Sequence, residues 1–190
     1  MTLPSELRDL PIYGHLEAIC DALRSSPSRF LVLTAETAAG KSTALPLALL
    51  EQFSGGIYML EPRRLAVLNI AGRVASLLGE PLGQTAGYQM HLEKRLSPQT
   101  RFTVLTEAIL TRKLQSDPLL DGISVVVIDE FHERSIHADL ALAFLKEAMQ
   151  LRDDLYVVVM SATIQTERLC AYLDCPCYAV PGRQFEVQIR

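Results

Sequence analysis

Long apolar runs are missing from this 190-residue chain. None approaches the ~20 residues needed to cross a bilayer as a helix. The opening stretch, Met1 to Leu10, carries Pro4, Glu6, Arg8 and Asp9 where a secretory leader would be basic and then apolar, so a cytoplasmic protein is expected. Positive charge is not in excess either. Eighteen Lys and Arg against 22 Asp and Glu leave a formal charge of −4, which excludes coating nucleic acid through bulk electrostatics and requires any such contact to be local. Cysteine is scarce: of four, three are crowded into Cys170-x4-Cys175-Pro176-Cys177. No second Cys or His pair stands near them at metal-ligand spacing, so reduced structural thiols are expected. Repeats and low-complexity segments are absent. With 49% apolar and 21% charged residues, disordered and fibrous classes are excluded, and the length suits one domain with a sizeable core.

What is present alternates between two periodicities. Ile12 to Ser25 has apolar residues at helical spacing, a lead-in helix broken by Pro27. Apolar strand runs are expected at Phe30–Thr34, Ile57–Leu60, Arg101–Leu105, Ser124–Ile128, Leu155–Met160 and Cys177–Val180. Helices are expected between them: Lys41–Gln52 despite Pro46, a helix after Arg64 with Val67, Ile70, Ala71, Val74 and Leu78 on one face, then Thr106–Gln115, His137–Gln150 and Gln165–Leu173. The stretch Thr85 to Thr100 is less regular, with a short strand near Tyr88 and a basic turn at His91 to Arg95. Uniformly apolar strands such as Val125-Val126-Val127-Ile128 belong to a sheet buried on both faces. The fold class is therefore α/β, a mainly parallel sheet with helices on both faces.

In such sheets ligands bind beyond the carboxyl ends of the strands. Four polar clusters stand there: Ala35 to Thr43, Glu61 to Arg64, Asp129 to Ser135, and Ser161-Ala162-Thr163. Gly40-Lys41-Ser42-Thr43 lies between a strand and a helix. Backbone N–H groups there can curl around phosphates, Lys41 can reach the β- and γ-phosphates, and the Ser42 hydroxyl can ligate Mg²⁺. Asp129-Glu130 has the layout of a Walker B element, Asp129 for Mg²⁺ and Glu130 to orient or deprotonate the attacking water. His132 with the hydroxyls of Ser161 and Thr163 could link two neighbouring strand ends, so that the state of the γ-phosphate moves the next segment.

Five motifs in order resemble the DEAH-box RNA helicases of superfamily 2: Gly40-Lys41-Ser42-Thr43, Glu61-Pro62-Arg63-Arg64-Leu65-Ala66, Leu105-Thr106-Glu107-Ala108-Ile109-Leu110, Asp129-Glu130-Phe131-His132-Glu133-Arg134-Ser135, and Ser161-Ala162-Thr163. The Asp-Glu-Phe-His form, with the sequence around it, is similar to the bacterial HrpB-like branch. The resemblance covers nearly the whole chain. It implies a RecA-like P-loop NTPase domain, a three-layer sandwich at 29–182, after a lead-in helix in 1–28. At 183–190 it implies the start of a linker to a second RecA-like domain that supplies arginine fingers.

The same resemblance implies ATP and Mg²⁺ as cofactors and single-stranded RNA as partner. It puts Thr37, Gly40, Lys41, Ser42 and Thr43 on the phosphates and Arg73 on the nucleotide base. Ser42, Asp129 and Glu130 serve the metal; Glu130, Lys41, His132, Ser161 and Thr163 serve catalysis and coupling; Arg63, Arg64 and Thr106 hold the RNA backbone. Ala35, Ala38 and Ala108 stand where the family usually has Gly. Ala38 falls in the tightest part of the loop, where a Cβ resists φ > 0 and close approach of a ligand. The expected function is ATP-driven movement along or unwinding of RNA, with little or no turnover by residues 1–190 alone. A DNA translocase and a nucleotide-sensing assembly module without unwinding are the alternatives.

Overall fold

The computed structural model describes residues 3–36, 39–162 and 166–181. Eight strands form one sheet: β1 (Phe30–Ala35), β2 (Gly56–Leu60), β3 (Ala86–Met90), β4 (Glu93–Arg95), β5 (Phe102–Leu105), β6 (Ile123–Ile128), β7 (Tyr156–Ser161) and β8 (Cys177–Val180). Their spatial order is β4-β3-β5-β2-β6-β7-β1-β8. Every pairing is parallel except β3 with β4. The helices are α1 (Leu16–Ser25), α2 (Lys41–Gln52), α3 (Arg64–Leu77), α4 (Glu107–Ser116), α5 (Ile136–Ala148) and α6 (Thr166–Leu173).

Successive strand residues point to opposite faces, and both faces are covered. Leu31, Leu33, Ile57, Met59, Val125, Val127, Val158 and Met160 pack with α1, α2 and α3, through residues such as Ile19, Leu23, Leu45, Leu49, Val67 and Val74. Phe30, Val32, Leu60, Val126, Ile128, Val157 and Val159 pack with α4, α5 and α6, through residues such as Leu110, Leu114, Leu142, Leu145 and Leu173. This is the three-layer arrangement expected for a RecA-like domain. It explains why the inner strands read as unbroken apolar runs instead of alternating patterns.

Two sequence expectations are corrected in detail. The basic segment at His91 to Arg95 is more than a turn: Glu93–Arg95 folds back as β4, antiparallel to β3, with Tyr88 opposite Arg95 and Met90 opposite Glu93. Three residues are too few to show a periodicity, so the strand had no signal of its own. The lead-in helix begins later, at Leu16, after the short 3₁₀ turn Tyr13–His15. Leu7 and Ile12, ahead of it, are buried in the same core as α1 and α2.

Register fixes which strand ends share an edge. Thr34 lies opposite Ser161, Leu60 opposite both Ile128 and Leu105, and Ile128 opposite Val159. The segments that follow β1, β2, β5, β6 and β7 therefore emerge side by side.

Candidate functional site

Gly40 is the N-cap of α2 with φ +87°, a left-handed conformation that costs a residue with a Cβ about 1–2 kcal/mol. Space is as limiting as torsion, because a Cβ built there would lie 2.6 Å from Leu10 Cδ1. The lead-in segment is tied to the loop again where the Ile12 N–H donates to the Ala39 carbonyl at 3.2 Å. Lys41 is buried, and its ammonium donates to the carbonyls of Ala35 and Glu36. Those bonds satisfy a cation that burial alone would penalise. The Thr43 N–H donates to the Gly40 carbonyl within the first turn of α2. Thr37 and Ala38 lie outside the described residues.

Ser42 reaches past the end of β7 to the acidic segment after β6: its hydroxyl donates to Asp129 Oδ2 at 2.6 Å. Asp129 is buried, and burial pushes its carboxyl above the ordinary range while the Ser42 bond and nearby Lys41 work the other way. A hydroxyl and a carboxylate in contact at the mouth of the loop are hard oxygen donors, the set that Mg²⁺ takes alongside phosphate oxygens and water. The residues present thus fit that ion.

Glu130 follows with φ +49° and ψ +35°, left-handed in a residue that is not glycine. The turn swings its side chain toward two neighbours. Oε2 lies 3.4 Å from His132 Nε2, and Oε1 lies 3.8 Å from Arg63 Nη2. His132 Nδ1 accepts from the Ala162 N–H at 3.4 Å, so its ring hydrogen sits on Nε2, facing Glu130. Among the described residues the link between the ends of β6 and β7 is made through this backbone amide. Ser161 is buried beside it, and Thr163 lies outside the described residues. Phe131, His132, Arg134, Ser161, Arg168 and Tyr172 help line a cavity of about 450 Å³ between α5 and α6.

Arg63 and Arg64 stand at the start of α3. Arg63 faces three carboxylates, Glu61, Glu130 and Glu133, at 3.5 to 3.8 Å. Arg64 lies 3.9 Å from Glu93 of β4, and Tyr88 donates to the same carboxylate at 2.6 Å. Thr106 is the N-cap of α4, its N–H donating to Gln89 at 3.4 Å. Two helix N-termini and two arginines thus share this part of the edge, a setting suited to anionic backbone. Arg73 is set apart, its guanidinium donating to Glu6 at 2.9 Å.

Three residues of the sequence motifs, Glu61, Ser135 and Glu107, have partners that the motifs alone did not reveal. Glu61 is 1% exposed. Its N–H extends the sheet ladder to the Leu105 carbonyl, which pins the side chain under Arg63. Burial, with the Asp129 charge second, pushes its carboxyl up to about 7. Ser135 caps α5 by accepting from the Ala138 N–H and donates to Glu107 Oε1 at 2.5 Å, joining the segment after β6 to α4. Glu107 and Ser135 are 28 positions apart, beyond any local pattern. The four cysteines are free thiols, with burial pushing those of Cys20 and Cys175 up to about 11 and 12. Among the described residues no helix is long and apolar enough to cross a membrane.

Comparison with known proteins agrees with this geometry. The chain is 47% identical over 188 residues to "ATP-dependent RNA helicase HrpB" of Escherichia coli, a match covering 97% of this chain and 23% of the relative. It is 40% identical to "Probable ATP-dependent RNA helicase DHR2" of Saccharomyces cerevisiae, over 94% of this chain and 25% of the relative. "ATP-dependent RNA helicase DHX29" of Homo sapiens is 37% identical, over 98% and 14%. The crystal structure of the Escherichia coli DEAH/RHA helicase HrpB superposes with a TM-score of 0.88 at 47% identity, over 95% of this chain and 23% of that one. The chain spans about a quarter or less of the length of these relatives. The profile of the DEAD/DEAH box helicases matches residues 15–170, and the chain belongs to that family.

Proposed function

We propose that this chain is the first RecA-like, ATP-binding domain of an ATP-dependent RNA helicase, residues 29–182 forming the domain and 1–28 its lead-in. Residues 183–190, the start of the proposed linker to a second RecA-like domain, lie outside the described residues. The observation that carries the reading is the 2.6 Å bond between Ser42 and Asp129, which joins the phosphate loop to the acidic segment. A cytoplasmic setting goes with it.

The chemistry divides among the strand ends. Thr37, Gly40, Ser42 and Thr43 with the Lys41 ammonium take the phosphates, Lys41 leaving the carbonyls of Ala35 and Glu36. Ser42 and Asp129 would hold Mg²⁺, with Glu130 beside them; the ion would supply neutralisation of phosphate charge. Glu130 accepts a proton from the water whose oxygen attacks the γ-phosphorus, and ADP leaves with the electrons of the broken P–O bond. His132, seated on Ala162, passes the change to the segment after β7, with Ser161 and Thr163. Arg63, Arg64 and Thr106 hold the sugar-phosphate backbone of single-stranded RNA, which needs charge more than base readout. Arg73 stacks on the nucleotide base once it leaves Glu6.

The test is ATP turnover by the full-length protein with single-stranded RNA, single-stranded DNA or neither. Stimulation by RNA supports the reading. Equal stimulation by DNA points to a DNA translocase, and none to an assembly module. Glu130→Gln should retain ATP binding and lose turnover; unchanged turnover removes Glu130 from the role of base. Residues 1–190 alone should show negligible RNA-stimulated hydrolysis, and brisk turnover would contradict the need for a second domain.

A further inference from the structure

We infer that Arg63 is shared between the hydrolytic carboxylate and the RNA track, holding Glu130 in check until an RNA phosphate takes the guanidinium away. This rests on the reading of Glu130 as base and Arg63 as a backbone contact, and adds the regulation that connects them.

Both oxygens of Glu130 are engaged. Oε2 faces His132 Nε2 at 3.4 Å and Oε1 faces Arg63 Nη2 at 3.8 Å. A carboxylate turned toward a guanidinium is oriented away from the water that it would have to engage. His132 belongs to the same segment and is fixed by Ala162, so the removable partner is Arg63. Its contacts favour removal. They are three charge contacts of 3.5 to 3.8 Å, to Glu61, Glu130 and Glu133, each longer than a good charge-assisted hydrogen bond. The Arg63 side chain is 60% exposed, so a phosphate can approach it from solvent. A phosphate offers the paired, short bonds that this guanidinium lacks.

Glu61 keeps the exchange local. Buried and bonded to the Arg63 N–H at 3.2 Å, it anchors the backbone from which Arg63 swings. Glu133, half exposed, forms the outer arm. An RNA strand at the starts of α3 and α4 would thus free the Glu130 oxygen without any shift of the sheet.

The experiment measures ATP turnover by the full-length protein over a titration of single-stranded RNA homopolymer, for wild type, Arg63→Gln and Glu133→Gln, with thermal melts to check folding. Arg63→Gln should raise RNA-free turnover about two- to fivefold, the size of a partly exposed ion pair expressed as a rate, and shrink the stimulation by RNA. Glu133→Gln leaves both principal groups in place. It should raise RNA-free turnover more modestly and lower the RNA concentration for half stimulation. If RNA stimulates wild type but Arg63→Gln leaves RNA-free turnover unchanged or lower, Arg63 is an RNA contact alone and the inference is overturned. Unchanged values for Glu133→Gln overturn it equally. A wild type that RNA does not stimulate defeats the functional reading, and the inference with it.

Discussion

Ser42 and Asp129 are 87 positions apart, yet their side chains meet at 2.6 Å. The contact crosses the end of β7, which lies between the parent strands β6 and β1. Parallel topology makes this possible: each crossover returns the chain to the same starting edge, so the polar segments at the ends of β1, β2, β5, β6 and β7 collect on the other. Side-chain chemistry then requires only that each strand stop in register with its neighbour, which a wholly apolar interior enforces.

Gly40 should be the least replaceable residue of the phosphate loop. Gly40→Ala meets a left-handed φ of +87° and the Leu10 side chain together. A loss of about 2–4 kcal/mol is expected, read by urea unfolding without nucleotide. Adding Leu10→Ala should recover the steric part and leave the torsional part, so a double-mutant cycle separates them. Full recovery would show that the backbone conformation costs nothing.

This pair also marks where sequence stops being informative. The loop, the acidic pair and the parallel sheet were legible because each rests on a local pattern: glycine and lysine at a strand-to-helix junction, acids after an apolar run, two-faced strands. Leu10 against Gly40 was not, nor was Arg63 among Glu61, Glu130 and Glu133. Those contacts depend on how separate segments converge in space. Among the described residues His132 meets the Ala162 amide, and backbone donors leave no mark in side-chain identity. β4 was missed because three residues held by cross-strand pairing carry no pattern of their own.

Glu61 should make stability depend on pH with a sign opposite to that of a paired surface acid. Its unfolded carboxyl titrates near 4.5 and its folded one near 7. Between those values the unfolded chain has released a proton that the folded chain still holds, so stability falls as pH rises through the window. The penalty is absent below about 4.5 and complete above about 7, reaching about 3 kcal/mol. Glu61→Gln keeps an acceptor for the Arg63 N–H and should flatten that slope, becoming the more stable form at pH 7.5. Unfolding series at pH 4.5, 6 and 7.5, in chelator to exclude metal effects, provide the check. Parallel slopes for the two proteins would assign the pH dependence to other groups.

Ser135 uses one hydroxyl twice, capping α5 and bonding Glu107. Ser135→Ala should cost about 1–2 kcal/mol through the lost cap alone, and more because Glu107 loses a short charge-assisted partner. Glu107→Gln tests the second part. If the bond joins α4 to α5, a cycle over the two substitutions in urea unfolding gives a coupling of at least 0.5 kcal/mol; additive losses would mean that the cap is the whole contribution.

Arg152 should affect stability without affecting chemistry, because it closes the opposite edge of the sheet. Its guanidinium donates to the carbonyls of Leu119 and Leu120 at 2.7 and 2.8 Å and to Asp154 at 2.9 and 2.6 Å. Its own carbonyl accepts from Arg29, which stands just before β1. The Arg152 side chain is only 12% exposed, while Asp154 stands 73% exposed at the rim. The Leu120 backbone that they hold is left-handed, with φ +49°. Arg152→Ala removes those donors and leaves two carbonyls to find water, at a cost of about 1–3 kcal/mol. Arg152→Lys should recover little of it, since one ammonium cannot reproduce a planar fork that serves two carbonyls and a carboxylate at once. In the full-length protein, kcat and KM for ATP should remain at wild-type values in both variants at a temperature well below their midpoints. A fall in kcat there would show that the two edges of the sheet are energetically coupled, and that strain entering near Leu120 reaches Asp129 along β6.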